Sequence, residues 1–266
     1  MIHRTPSLKR LLLSAMRMMK PLFSLANLKA FPGYIRFITD LRKYRKMGGT
    51  ALAGDFWPCL FDKTATTGID AHYFHQAVWA GHKIQEFSPA DHVDIGSDVC
   101  YVGMLTTILP VRFVDIRPLQ LNIPNYEGID GSILDLPFPD ASINSISCLH
   151  VIEHIGLGRY GDPLDPEGSI KACRELQRVL APCGQLLVSM PIGTARVQFN
   201  GQRVFAVRDV LQMFPELTLT EMAMVDAAGS FHATLLPDDQ RISALEQATA
   251  DFGLGLFLFT RQGDTH

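Results

Sequence analysis

The chain predicts an α/β protein: a doubly wound, mostly parallel sheet with a basic helical N-terminal extension. Three observations lead there. His92-Val93-Asp94-Ile95-Gly96-Ser97 reads as a short buried strand that breaks at a glycine turn before a helix. Val111-Arg112-Phe113-Val114-Asp115, about twenty residues on, reads as a second apolar strand ending in one carboxylate. Strand-like and helix-like stretches then alternate, as they do in sheets covered on both faces.

The 266 residues, 47% of them apolar, suffice for one large domain with a substantial core plus an extension. The net charge of −3 hides an asymmetry, because residues 1–49 carry +10 and the remainder −13. Two parts with different roles are expected: a basic helical extension over 1–49 and an α/β domain over 50–266, its core at about 70–260. Cys59, Cys100, Cys148, Cys173 and Cys183 are odd in number and form no C-x-x-C, which fits reduced, mostly buried thiols and neither disulfides nor a zinc site. No apolar run reaches the roughly 18–20 residues of a membrane span. Leu11-Leu12-Leu13 is too short for a signal-peptide core. A cytoplasmic location follows, with peripheral contact at the inner membrane face as an option for residues 1–49.

Ser7 to Lys20 has helical spacing, with Leu8, Leu11, Leu12, Ala15, Met16 and Met19 on one face, and Pro21 stops or kinks it. Tyr34 to Lys46 is a second basic helix whose apolar side is Tyr34, Phe37, Ile38 and Leu41. The pair could lie on an anionic membrane, or pack on the α/β domain. No nucleic-acid partner is expected, since no reader fold accompanies the basic residues and the body is acidic. Gly48-Gly49 marks a break. Asp70 should cap a helix over 71–80, where His72, Tyr73, His75 and Trp79 form either a lid over a ligand mouth or a face packed on the sheet.

Strands are expected at Val93–Gly96, Arg112–Asp115, Gly128–Gly131, Asn144–His150 and Gln185–Met190, then at Leu217–Val225 and Gly255–Thr260. Val151-Ile152-Glu153-His154 should begin a helix. Ile170–Leu180 is amphipathic and should end at Pro182-Cys183-Gly184.

Gly96 lets the backbone approach a ligand closely. Asp115 is placed to bind both hydroxyls of a ribose. A pyrophosphate site would need a second glycine near Gly96, and Asp98 stands there instead. A cofactor with ribose but no phosphate fits better, and S-adenosylmethionine is the common one. A dinucleotide, or a domain with no ligand, remains the alternative.

In this order, Val93-Asp94-Ile95-Gly96-Ser97, Asp115, Leu136-Pro137-Phe138, Leu149–His154 and Glu175–Gly184 resemble the class I S-adenosylmethionine-dependent methyltransferases. The last stretch looks like the "RVLKPGG" helix end of that family. Gly156–Pro163 and Asn200–Phe205 are similar to an uncharacterised-domain branch. The resemblance covers roughly residues 70–260. It implies a Rossmann-like, seven-stranded sheet with its last strand antiparallel and the cofactor at the strand C-termini. It further implies that Asp94, Gly96 and Ser97 line the methionine and ribose, and that Asp115 binds the ribose hydroxyls. Ser132 and Ile133 would flank the adenine, and Leu149 and His150 would sit beside the sulfonium. The chain departs from the family at Asp94–Cys100, which replaces D-x-G-x-G-x-G, and at Ser132, which stands where Asp is usual.

A hydroxyl acceptor needs a base, and neutral histidine suits that work near pH 7. His150 and His154 share a face if a helix starts at His150, with Glu153 orienting one of them; the alternative is that Glu153 and His154 only buttress the helix start. The insert Gly156–Gly168 brings Arg159, Tyr160, Asp162, Asp165 and Glu167 as a wall for the acceptor. Its acids match no metal-binding loop, so no metal is expected. Arg203 and His232 are further candidates. The expected function is methyl transfer to a small-molecule or glycan-precursor acceptor. The alternative is a catalytically inactive methyltransferase-like binding or scaffold module.

Overall fold

The computed structural model describes residues 26–50, 59–248 and 251–263. The expected Ser7–Lys20 helix and most of Asp55–Cys59 lie outside them. The described residues fall into two units, one ending at Ile69 and the other beginning at Asp70. In the first, α1 (Ala26–Lys46) starts before the expected Tyr34 and runs through Pro32, with Lys43, Arg45 and Lys46 in its last turn. Tyr34, Ile35 and Ile38 on α1 are exposed. Arg36 donates to the Leu60 carbonyl at 2.8 Å. Among the described residues no helix is long and apolar enough to cross a membrane.

The second unit runs α2 (Ala71–Phe87), β1 (His92–Ile95), α3 (Val99–Leu105), β2 (Val111–Asp115), β3 (Tyr126–Asp130), β4 (Ile143–Leu149) and a 3-10 turn (Ile152–His154). Then come α4 (Gly168–Val179), β5 (Leu180–Ile192), β6 (Arg196–Gln198), β7 (Gln202–Val204), α5 (Val207–Met213), β8 (Thr218–Val225), β9 (Phe231–His232), α6 (Gln240–Gln247) and β10 (Gly253–Thr260). The main sheet has the order β3-β2-β1-β4-β5-β10-β8-β9. Strands β1 to β5 pair in parallel, and β10 runs antiparallel to both its neighbours. This is a seven-stranded, mostly parallel arrangement with its last strand reversed, extended at the edge by the two-residue β9.

Successive strand residues serve opposite faces. Leu186 and Val188 join the layer under α4, α5 and α6, with Cys173, Leu176, Val210 and Ile242. Leu187 joins the layer under α2 and α3, with Trp79, Ile84, Tyr101 and Leu105. Arg178, near the end of α4, donates to the carbonyls of Leu136 (3.1 Å) and Phe138 (2.9 Å) and so holds the Leu136-Pro137-Phe138 loop.

Two expected boundaries move. The α4 helix ends at Val179, before Pro182-Cys183-Gly184, and the chain enters β5 directly. The register slips from Ile143↔Leu180 to Ser145↔Gln185, and this bulge absorbs Pro182 together with Cys183 at φ +61°. The helix expected from Val151 is a single 3-10 turn, because His150 before it is left-handed, at φ +60°. Only Cys148 and Cys173 are buried; Cys59, Cys100 and Cys183 are exposed, against the expectation of mostly buried thiols.

A buried polar chain joins β1 to β4 beneath the glycine turn. The Asp94 carboxylate is fully buried and accepts the Ser97 N–H at 3.0 Å and the Ser147 hydroxyl. Ser147 has one proton, so its oxygen must accept from its other neighbours, His92 Nε2 (2.8 Å) and the Tyr101 hydroxyl (3.3 Å). His92 is thereby the Nε2–H tautomer, and its Nδ1 takes the Ser145 hydroxyl at 2.8 Å. Burial holds His92 neutral, with its pKa down to about 3. The Ser97 hydroxyl in turn accepts the Leu149 N–H at 2.9 Å, tying the turn after β1 to the end of β4.

Burial also lifts the Asp94 carboxyl from its ordinary 3.8 to about 6, against the pull of its hydrogen bonds from Ser147 and Ser97. A folded-state value above the unfolded one means stability that is present at low pH and lost as pH rises through that window. Asp94→Asn keeps an acceptor and removes the titration. Urea unfolding should show the wild type losing up to about 3 kcal/mol relative to the variant between pH 4 and pH 7.

Candidate active site

The carboxyl ends of β1, β2 and β4 meet at Gly96, Asp115 and His150. Gly96 is left-handed, at φ +67°. A Cβ built there would lie 3.4 Å from Val151 Cγ1 and 3.5 Å from Asp115 Oδ2. The Asp115 carboxylate therefore stands beside the glycine turn. Its Oδ1 accepts the Arg117 N–H at 2.7 Å, while Oδ2 faces Gly96. Asp98, which replaces a glycine, caps α3 by accepting the N–H groups of Cys100 (2.9 Å) and Tyr101 (3.3 Å).

At the end of β4 the left-handed backbone turns the His150 ring back over the 3-10 turn. Its Nδ1 lies 2.5 Å from Glu153 Oε1; the ring is 8% exposed and the carboxylate wholly buried. Nδ1–H donating to Glu153 leaves the lone pair on Nε2. His150 Nε2 and Glu153 Oε2 are both buried without a hydrogen-bond partner. Two orphaned polar atoms in one buried pair are uncommon in a folded protein and single this pair out as a candidate site.

His154 does not join His150 on a helix face, because the left-handed residue breaks the helix. It reaches Glu153 Oε1 with Nε2 at 3.6 Å and gives its Nδ1–H to the Gly201 carbonyl at 2.8 Å. Burial lowers its pKa, outweighing the nearby Glu153 charge. From α2, His72 (5.7 Å between ring centres) and Tyr73 (5.2 Å) both stack on His150. Burial, then the neighbouring His150, lowers the His72 pKa; burial, then Glu153, raises that of Tyr73. Further along α2, Trp79 and Ile84 are buried on the sheet and Gln76 accepts the Ser189 hydroxyl at 2.7 Å. The helix thus packs on the sheet over most of its length and leans over the mouth with its first turn.

The other expected site residues are divided. Asp94, Ser97 and Leu149 build the mouth from beneath: all three are buried, and the Leu149 side chain packs with Trp79 and Tyr101. Ser132 Oγ accepts the Leu134 N–H at 3.1 Å, and Ile133 is buried with Ile95 and Val114. Arg203 sits in β7, buried, donating to the carbonyl of Ile155 (2.5 Å) and the hydroxyl of Ser169 (3.0 Å), so it clamps the base of the insert. His232 pairs with Asp226 Oδ2 at 2.8 Å, at the far edge of the sheet. Within the insert, Asp162 accepts the N–H of Gly156 at 2.7 Å and Asp165 holds Lys171 at 2.7 Å. Sequence reasoning did not single out Arg117 or Val151, whose place at the mouth depends on strand register.

A polar cavity of about 500 Å³ lies at the opposite edge of the sheet, lined by Asp140, Arg174, Arg178, Glu216, Arg261 and Gln262 among others. Its Arg178 and Arg261 already pair with Asp140 (2.7 Å) and Glu216 (2.8 Å). No candidate residue reaches it; the candidate residues gather instead at the carboxyl edge, where open α/β sheets place ligands.

Solved structures share this fold. A candidate sarcosine dimethylglycine methyltransferase from Galdieria sulphuraria superposes with a TM-score of 0.50 at 13% identity, over 73% of this chain and 86% of that one. The YcgJ protein of Bacillus subtilis gives 0.50 at 15% identity, over 72% and 100%. The [4+2]-cyclase SpnF gives 0.50 at 12% identity, over 70% and 82%. The chain therefore has the Rossmann-like fold of class I methyltransferases. Residues 140–220 match a family described as "Caenorhabditis protein of unknown function, DUF268". That span contains the insert and the β6–β7 hairpin. No curated protein matches the chain in sequence.

The insert depends on Gly156, at φ +80°, where a Cβ would lie 2.0 Å from the Asp165 carbonyl oxygen. Gly156→Ala should destabilise the protein by more than about 1 kcal/mol. Thermal unfolding should show a lowered Tm, and limited proteolysis should cut faster between residues 157 and 166.

Proposed function

We propose that this chain transfers a methyl group from S-adenosylmethionine to a hydroxyl of a small-molecule or glycan-precursor acceptor. The observation that carries this reading is the buried His150–Glu153 pair, with its unpartnered Nε2. The residues fit the cofactor: the Gly96 turn admits a close approach, and Asp115 Oδ2 faces it, where a ribose hydroxyl would donate. Gly96 and Asp115 would hold the nucleoside, with Ser132 beside the adenine. When bound, the cofactor supplies an electrophilic methyl group on a sulfonium.

His150 Nε2 accepts the proton of the acceptor hydroxyl as the oxygen attacks. Glu153 is a positioning residue: it fixes the Nδ1–H tautomer and stabilises the imidazolium that forms. His72 and Tyr73 stack on the ring and hold its plane, while burial of the pair excludes water. Alignment of the reacting groups can contribute about 7–11 kcal/mol, more than the base alone.

One observation favours the runner-up, a binding module without catalysis. Val151 stands against the Gly96 turn, and Ile133 and Leu149 turn into the core rather than toward a ligand. The [4+2]-cyclase shows that this fold is compatible with other activities.

Calorimetry with S-adenosylmethionine and S-adenosylhomocysteine separates the readings. Asp115→Ala should weaken both by about ten- to hundredfold, the worth of hydrogen bonds to a charged group; unchanged affinity would remove the cofactor assignment. His150→Gln should lower label transfer from methyl-labelled cofactor into a cell extract by about 10²–10⁴-fold while cofactor affinity stays within twofold or so. A protein that binds cofactor but transfers no label is the scaffold.

A further inference from the structure

Two guanidinium groups converge on one ring at the rim of this site. Arg117, two residues beyond Asp115, sits 4.9 Å from the Tyr160 ring centre, and Arg159 sits 5.0 Å from it. Both arginines and Tyr160 are exposed. Arg159 gives one N–H to the Gly201 carbonyl at 3.0 Å. Neither head forms an ion pair among the described residues.

The acids nearby are already committed. Asp162 is held by the N–H groups of Gly156 (2.7 Å) and Tyr160 (3.3 Å), Asp165 by Lys171, and Asp115 Oδ1 by the Arg117 N–H. The tyrosine face attracts both guanidinium groups, and Arg159 uses only one nitrogen, Nη1, which donates to the Gly201 carbonyl and lies 3.4 Å from His154 Nδ1. Each guanidinium carries a full charge with no carboxylate paired to it, so an anion that reached both would gain from each. Paired guanidinium forks suit phosphate and carboxylate oxygens.

The patch adjoins the reacting groups. Tyr160 meets the His154 ring edge to face at 5.7 Å, and His154 Nε2 lies 3.6 Å from the Glu153 carboxylate that holds His150. The floor itself carries carboxylates, Glu153 and Asp115, so an anionic acceptor would be repelled unless cations held its charged end at the rim. We propose that Arg117 and Arg159, gathered at the Tyr160 ring, bind a phosphate or carboxylate carried by the acceptor. This rests on the methyl-transfer reading and names the acceptor class. The anionic end stays at the rim, and the hydroxyl reaches inward to His150.

The test uses the full-length protein saturated with S-adenosylhomocysteine, titrated calorimetrically with phenyl phosphate, benzoate and neutral benzyl alcohol. Both anions should bind, and Arg117→Gln and Arg159→Gln should each weaken them about tenfold. Added salt should weaken the anions as well, while benzyl alcohol should respond to neither change. Anion affinities equal in the wild type and both variants overturn the proposal. If no adenosyl compound binds, the methyl-transfer reading fails, and the same titration without it still decides for or against the arginine pair. The labelled product from an extract distinguishes the sources. Retention on anion exchange that phosphatase abolishes indicates a phosphate, retention that resists phosphatase indicates a carboxylate, and an unretained product overturns the proposal.

Discussion

The carboxylate of Asp94 is the constraint on which the rest of the carboxyl edge depends. It lies wholly inside the sheet, so every oxygen lone pair it cannot share is a penalty that the fold must offset. The chain offsets it with Ser97 from the next turn and Ser147 from the neighbouring strand, and these two bonds set where the turn stands relative to β4. His92 and Tyr101 complete the satisfaction of Ser147 and make the cluster a closed network with one consistent assignment of protons. A buried network so connected specifies a single register between β1 and β4. The position of Gly96 against Asp115, and of Leu149 before His150, follows from that register.

The site above it arises from a backbone conformation that most residues avoid. A histidine at φ +60° costs on the order of 1–3 kcal/mol. Here the strain swings its ring away from the direction of β4 and onto Glu153, between the 3-10 turn and α2. The fold is shared with a candidate methyltransferase and a [4+2]-cyclase, and function on a shared fold rests on the side chains of the site. In this chain those side chains are a histidine with a free buried nitrogen, a carboxylate that holds it, and a rim of aromatic rings with two arginines.

Much of the architecture was legible because it is written in local pattern. The strand, glycine turn and helix at His92–Leu105, the acid at Asp115, the cap at Asp70 and the amphipathic α4 all rest on neighbours within one turn or one strand. The helix end at Pro182-Cys183-Gly184 misled, since those residues do break a helix, but the chain had already left it for a strand whose bulge the pairing of β4 and β5 determines. His150 and His154 at a spacing of four looked like one helix face; nothing local announces that His150 is left-handed. Arg117 was invisible as a site residue because its place depends on Tyr160, which sits forty-odd residues away in an irregular insert. The burial of Asp94, Ser97 and Leu149 is not legible in residue type, since an acid and a serine at a strand end look solvent-facing until the network beneath the turn is built.

The Asp70 carboxylate accepts the N–H groups of His72 at 3.0 Å and Tyr73 at 3.2 Å, the two residues whose rings stack on His150. One exposed cap, of the kind worth about 1 kcal/mol, therefore anchors both covers of the inner site. Helix ends fray before sheets melt. On warming, the His150 imidazole would lose its flanking rings before the eight strands part.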